Sequence, residues 1–398
     1  MTVAPPQALS LTMCVAHHPA SDRAGSLRSR LYKHYRRDPR RNLGDGGIGI
    51  EVEYRSAPVT PGVVPIPVDF GRSQATAIVA LLDEDLAGDP DLTAYVNRLA
   101  GEAKALFPNA SFLPISLDAA GRRLSRAGAV GGWQELDATA WPDDEFARRL
   151  FTGVDYNLCQ LLTAHLAAGG AVLPDRPDLR RAYTKKAQVL LSHSKHDDYG
   201  VPIAAVLKAE LERIGAEPFF DAVSITPGTP WEDALNQAAS SHALLVILTD
   251  SFSSRTWCRK EVLSAKRAGV PIVVANCLED AEDRGFPYIG NVPNVRMSPD
   301  TRTRHPQVIG RLFDEVLRSL VWRCHTMGLT APGLMFLPRA PELVSLAYLE
   351  RELDGTSRPL TVVYPGVPLG EEEAELFATV APHVKLSPFV NWAAGLAP

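Results

Sequence analysis

The 398-residue chain has no cysteine pair at C-x-x-C spacing, and its five cysteines (Cys14, Cys159, Cys258, Cys277, Cys324) are scattered and odd in number. That excludes a disulfide framework and a cysteine-based zinc site, and it suits a reducing compartment. No apolar run approaches the roughly 18 residues that a membrane span needs. The opening MTVAPPQALSLTMCVAHH lacks a basic stretch followed by a long apolar one, so no signal peptide is expected. Neither sign of charge dominates: 41 basic against 46 acidic residues leave −5, giving no general reason to bind nucleic acid. The local basic run YKHYRRDPRRN (Tyr32–Asn42) reads as a solvated loop. These absences predict a cytoplasmic protein with no metal, no nucleic-acid partner and no membrane partner.

What is present is an alternation of short apolar runs with amphipathic helices, the pattern of a parallel sheet covered on both faces. The chain is long enough for two or three domains. In its middle the strand candidates are Ala187–His193, Ala216–Asp221, Ala243–Thr249 and Val270–Cys277, all too apolar to face water on one side. Between them, Gly200–Gly215 carries Ile203, Val206, Leu207, Leu211 and Ile214 at helical spacing and ends on a glycine suited to a C-cap. PWEDALNQAASS opens with Pro230 and acids, which suits a helix start. His305–His325 is a long amphipathic helix that closes the unit.

A weaker copy of this pattern lies upstream. MCVAHHPASDRAGSLRSRLYKHY resembles VLLSHSKHDDYGVPIAAVLKAEL, ATAIVALLDEDL parallels HALLVILTDSF, and Arg148–Leu162 parallels Gly310–Cys324. The expected organisation is therefore a first domain over 9–166, a Gly/Pro-rich linker over 167–184, a second domain over 185–327 and a small α/β unit over 328–398. In the last, GLMFLP, PLTVVYP and VKLSPF read as strands, with ELVSLAYLEREL and LGEEEAELFATVA as helices.

Three polar segments of the second domain fall at the carboxyl edge of its strands, where open parallel sheets bind ligands. They are LLSHSKHDD, FFDAVSITPGTPWEDAL, and the element SRTWCRKE that follows a buried strand. With Ser192, Asp221, Gly228, Trp257, Cys258 and Glu261, this constellation resembles the Toll/interleukin-1 receptor (TIR) domain, in its bacterial and plant branch. The S-x-x-W-C-x-x-E arrangement of that branch matches Ser254 to Glu261 throughout, and the resemblance covers Ala187 to about Cys324. It implies an α/β fold: two flavodoxin-like parallel-sheet TIR-type domains in tandem plus a small C-terminal α/β unit. It also implies an NAD⁺ glycohydrolase with Glu261 as its catalytic carboxylate, NAD⁺ being substrate and no cofactor being needed. The loop with Pro227 and Gly228 corresponds to one that borders the nucleotide and mediates contacts between TIR domains, so a homo-oligomer or filament is implied.

The chemistry agrees. Nicotinamide in NAD⁺ is already a cationic leaving group, and the barrier lies in an oxocarbenium-like ribose that one carboxylate can stabilise. Ser192, His193, Ser194, Lys195 and Asp221 would line the substrate site, with donors near Gly228 for the pyrophosphate. Trp231 and Trp257 would offer a stacking or packing face. Asp197 either caps the next helix or orders the cleft, and Cys258 reads as a small buried hydrophobe. Upstream, Tyr95 and Leu99 stand where Trp257 and Glu261 do, so the first domain reads as a degenerate, non-catalytic copy, with Glu102 nearly one turn further on.

The function expected is cleavage of the nicotinamide–ribose bond, by hydrolysis or cyclisation, in bacterial immune (anti-phage) signalling, switched on by oligomerisation. A small-nucleotide or protein cue would act at the C-terminal unit. A non-enzymatic TIR adaptor and a nucleoside 2-deoxyribosyltransferase-like enzyme are the competing readings.

Overall fold

Runs of β-branched and aliphatic residues become central strands buried on both faces, as in Leu9–Ala16, Ser73–Leu82, Ala110–Ser116 and Ala243–Leu248. The computed structural model describes residues 9–36, 47–56, 65–169, 186–220, 243–280, 285–297, 304–345, 347 and 360–395. The described residues through Ala187 form one compact unit and those from Gln188 on form a second. Every strand pairing among them is parallel.

In the first unit, β1 (Leu9–Ala16), β2 (Glu51–Arg55), β3 (Ser73–Leu82), β4 (Ala110–Ser116) and β5 (Leu136–Asp137) lie in the order β2-β1-β3-β4-β5. Helices α1 (Asp22–Tyr35), α2 (Glu84–Gly88), α3 (Pro90–Ala105), α4 (Ala119–Leu124) and α5 (Asp143–Ala167) connect and cover them. Helix α1 starts where Ser21 accepts the Ala24 N–H, and α3 where Asp89 accepts from Asp91 and Leu92 ahead of Pro90. Cys14, Ala16, Ile78, Ala80 and Phe112 pack one face of the sheet against Tyr95, Val96, Leu99 and Ala103 of α3.

In the second unit, β6 (Gln188–His193), β7 (Glu217–Phe220), β8 (Ala243–Leu248), β9 (Ile272–Asn276) and β10 (Asn294–Arg296) lie in the order β10-β9-β8-β6-β7. Counted within each unit, both five-stranded sheets have the order 2-1-3-4-5, the flavodoxin-like arrangement that the resemblance implied. Helices α6 (Gly200–Arg213), α7 (Thr256–Ala268) and α8 (His305–Thr326) belong to this sheet. Helix α6 buries Gly200, Ala204, Leu207 and Leu211, whereas Val206 is exposed. The expected apolar face was thus too wide: the packing stripe follows the small residues 200 and 204, and Val206 falls outside it. Gly215 follows α6 with φ 91°, a value that suits glycine alone among common C-caps.

The third sheet, also within the second unit, is β11 (Leu334–Phe336), β12 (Leu360–Tyr364) and β13 (Val384–Pro388) in that order. Helix α9 (Glu371–Val380) closes its core through Phe377, against Leu360, Val362 and Val384, and α10 (Phe389–Ala393) follows β13. The expected helix over 230–241 and most of that over 342–353 lie outside the described residues. No helix among the described residues is long and apolar enough to cross a membrane.

Candidate active site

The order 2-1-3-4-5 places a switch point between the first and third strands of a unit, because the chain leaves them in opposite directions. In the second unit these strands are β6 and β8, in register through Ser192↔Val246 and His193↔Ile247. The loops beyond them therefore flank the crevice.

Those loops are tied together by polar groups. The Ser194 and Ser251 hydroxyls lie 2.6 Å apart, and Ser194 Oγ accepts the His196 N–H at 3.2 Å. Asp197 Oδ2 accepts from the Ser251 hydroxyl at 2.6 Å and from its N–H at 3.3 Å. The Tyr199 hydroxyl accepts the Asp250 N–H at 3.2 Å, and burial pushes its pKa up to about 12. The Asp250 carboxylate accepts the N–H groups of Glu279 and Asp280 at 3.0 and 3.2 Å, which brings in the loop after β9. Asp197 thus orders the cleft: α6 begins beyond it, with no side-chain cap at Tyr199. Burial raises the Asp197 pKa, but the hydrogen bonds from Ser251 and the charge of Arg255 outweigh it and hold the carboxyl below its usual range.

Glu261 reaches this edge from α7. That helix buries Cys258, Glu261, Val262, Ala265 and Lys266, an i, i+3, i+4, i+7, i+8 stripe. The spacing alone sends Glu261 inward with its apolar neighbours. Cys258, one turn earlier, donates its thiol to the His193 carbonyl at 3.7 Å. Glu261 then meets the end of β6, where the Ser192 hydroxyl donates to its carboxylate. Both residues are buried, Glu261 at 2% exposure. An anionic oxygen held by a hydroxyl, with little water about, acts strongly on any positive charge that develops beside it.

Of the expected site residues Ser192 meets Glu261, His193 and Ser194 follow it at the end of β6, and Lys195 is exposed on the same loop. Trp257 lies one turn before Glu261 on α7 and is 49% exposed, with Lys260 Nζ 4.7 Å from its ring centroid. Asp221, Pro227, Gly228 and Trp231 lie outside the described residues. Sequence reasoning missed Tyr199, Asp250 and Ser251, although LTDS directly after an apolar run is the signal of a polar strand end.

In the first unit, Tyr95 and Leu99 are both buried in the α3 stripe, while Glu102 is exposed and pairs with Arg98 at 3.8 Å. A register shift of Glu102 into the inner face is thereby excluded. On β2, at the edge of the sheet, Glu53 is bridged to Arg55 at 2.6 Å and to Arg72. Two guanidinium groups already neutralise it, so it is not available to a cationic sugar. The neighbouring Cys14 thiol donates to it at 3.8 Å, and its pKa is pushed up to about 12, mainly by burial.

Comparison with known proteins bears on the second unit. No curated protein matches the chain. Among solved structures, the TIR domains of the activated Roq1 resistosome, which directly recognises the pathogen effector XopQ, are 15% identical, with 32% of this chain and 84% of that one covered and a TM-score of 0.21. A phosphosugar isomerase described from Silicibacter pomeroyi is 14% identical over 79% of this chain and 87% of that one, with a TM-score of 0.20. The family model for the TIR domain matches residues 189–305, the stretch that runs from β6 to the start of α8 and contains Ser192 and Glu261. Residues 189–305 of the chain are a TIR domain.

Proposed function

We propose that the second unit is an NAD⁺ nucleosidase and that Glu261 is its catalytic carboxylate. The observation that carries this reading is a carboxylate on the packing stripe of α7, where helix spacing calls for an apolar side chain. A buried anion costs stability unless something compensates, and such residues gather at functional sites. Its position at the switch-point edge supports the same reading.

In the proposed reaction the C1′–N bond of the nicotinamide ribose breaks and its electron pair stays on the nicotinamide nitrogen. Glu261 faces the resulting positive sugar and lowers its energy. Ser192 holds the carboxylate in orientation. Water adding at C1′ and losing a proton gives ADP-ribose; an internal nucleophile of the same dinucleotide gives a cyclic product instead. Ser194 and Lys195 are assigned to the pyrophosphate, and the sequence motif alone adds Asp221, Pro227, Gly228 and Trp231 to the substrate site.

The wider reading is a cytoplasmic enzyme of bacterial immune signalling, activated when TIR domains of several copies associate. The first unit serves as a non-catalytic partner domain, and the C-terminal unit receives the cue. Incubating the purified full chain with NAD⁺, dilute and under crowding, and following nicotinamide release tests it. Turnover abolished by Glu261→Gln is the expected result. Equal turnover in that variant, or none in any oligomeric state, would leave a TIR scaffold as the better description.

A further inference from the structure

Helix α7 carries a second ionisable group on its buried stripe, and the site does not use it. Lys266 lies five residues after Glu261, about 7.5 Å along the helix axis. Its side chain is almost wholly buried, and Nζ donates to Glu342 Oε1 at 2.6 Å and to Asn291 Oδ1 at 2.5 Å. Burial lowers the lysine pKa despite the hydrogen bond and charge of Glu342. Glu342 lies beyond the TIR domain, in the segment that follows β11.

The same segment touches α7 at its end. Arg339 donates to the Val270 carbonyl at 2.6 Å, just where the chain leaves the helix for β9. Gly269 ends α7 at φ 68°, and a Cβ there would lie 2.6 Å from a ring carbon of Pro338. Residues 338–342 therefore hold the C-terminal end of α7 through one ion pair, one backbone hydrogen bond and one close approach. The remainder of the C-terminal unit is anchored separately on α8: Trp322 Nε1 donates to the Leu337 carbonyl at 2.8 Å, and the Trp322 ring meets Phe336 and Phe389 edge-on.

We infer that residues 338–342 are a clamp by which the C-terminal unit holds α7, and with it Glu261, in a resting position. The inference rests on the NAD⁺-cleaving reading only for its catalytic half. At 2% exposure the Glu261 carboxylate is closed off, so a ribose meets it only after α7 or its surroundings give way. The clamp opposes that movement. Lys266, Glu342 and Arg339 are positioning residues, acting through the helix and never touching substrate. A ligand or partner that draws the C-terminal unit off α7 would strand the Lys266 charge and free the helix.

The test is amide hydrogen exchange on the full chain together with nicotinamide release from NAD⁺. Glu342→Gln removes the charge while keeping the shape. Exchange at residues 258–268 should rise about tenfold or more, the equivalent of one hydrogen bond to a charged group, with residues 189–192 unchanged. Turnover should rise at least severalfold in kcat with KM little altered. The double variant Lys266→Met, Glu342→Met strands no lysine charge, with Glu315 left as the counter-charge of Arg339, and should return exchange and turnover toward the native values. Exchange in α7 left at the native level in Glu342→Gln, or raised equally in both variants, would overturn the clamp, as would lower turnover with a looser α7. Faster α7 exchange with no nicotinamide released by any variant would uphold the clamp and sink the NAD⁺ reading instead.

Discussion

Replacing Glu261 and Ser192 together by apolar residues should make the protein more stable while abolishing its chemistry. Leucine at position 261 would sit on the α7 stripe with Cys258, Val262 and Ala265, and burying such a side chain contributes about 1.5–3 kcal/mol. The change forfeits the charge-assisted hydrogen bond from Ser192, about 1.5–3 kcal/mol. It also removes the desolvation penalty of the carboxylate, several kcal/mol in buried sites. Glu261→Leu alone strands the Ser192 hydroxyl at a cost of about 1–3 kcal/mol, so its net effect should be small. Adding Ser192→Ala removes that cost. The double variant should then gain about 1–4 kcal/mol, the range seen when buried ionic groups are exchanged for apolar ones. For a unit of this size each kcal/mol corresponds to about 2–4 °C in Tm. Urea unfolding, with nicotinamide release measured on the same samples, reads both effects. A double variant less stable than the native chain by more than about 1 kcal/mol would show that the carboxylate serves the fold, and the functional argument from its position would fail.

Ser192→Ala by itself should lower kcat about ten- to a hundredfold with KM nearly unchanged, as expected when a group that orients a charged partner is lost; a change confined to KM would make Ser192 a substrate contact instead. In the first unit, His17 and His165 are buried, and burial lowers both pKa values. Below the ordinary histidine value of 6.5 the unfolded chain takes up protons that the folded unit refuses. Stability should therefore be full above that pH and fall through the mildly acidic range, and the slope should shrink in His17→Gln or His165→Gln when chemical denaturation is followed against pH. Leu99→Glu places a carboxylate on the α3 stripe, whose sheet-side neighbours include Cys14, Ala16 and Ile78. An uncompensated buried charge should cost about 3–5 kcal/mol there, seen as an earlier unfolding transition; a loss below about 1 kcal/mol would remove the contrast drawn between the two units.

Sequence patterning located the second-unit strands because fully buried parallel strands are continuous apolar runs, as in ALLVIL of β8. It located Glu261 for a related reason: the motif and the helix period agree on one inward acid. Patterning failed where burial depends on what a side chain meets. Val206 has the right hydrophobicity for the α6 face and still points to water. Trp257, a large aromatic within the motif, is half exposed with Lys260 over its ring. Lys266 is a cation, yet counting i+8 from Cys258 puts it on the buried stripe. Charge made it look like surface, and its partner Glu342 is 76 residues away in sequence. No local pattern records a pairing of that kind.

The two five-stranded sheets share strand order and differ in the neighbours they give to Glu53 and Glu261. In the first unit Glu53 stands between Arg55 and Arg72, so its charge is already spent on protein cations. In the second, the hydroxyl of Ser192 donates to Glu261 and orients it. Two guanidinium groups at one carboxylate weaken its attraction for any further positive charge, so Glu53 is poorly suited to a sugar cation. The same strand order therefore holds one carboxylate bridged to two guanidinium groups and one oriented by a hydroxyl, and the neighbours that the strands supply set that difference. Lys266 lies on the stripe of Glu261 itself and is paired elsewhere. Glu342 and Asn291 hold that ammonium at the other end of the helix, so its charge is compensated by a carboxylate of the C-terminal segment and not by the one assigned to the proposed chemistry.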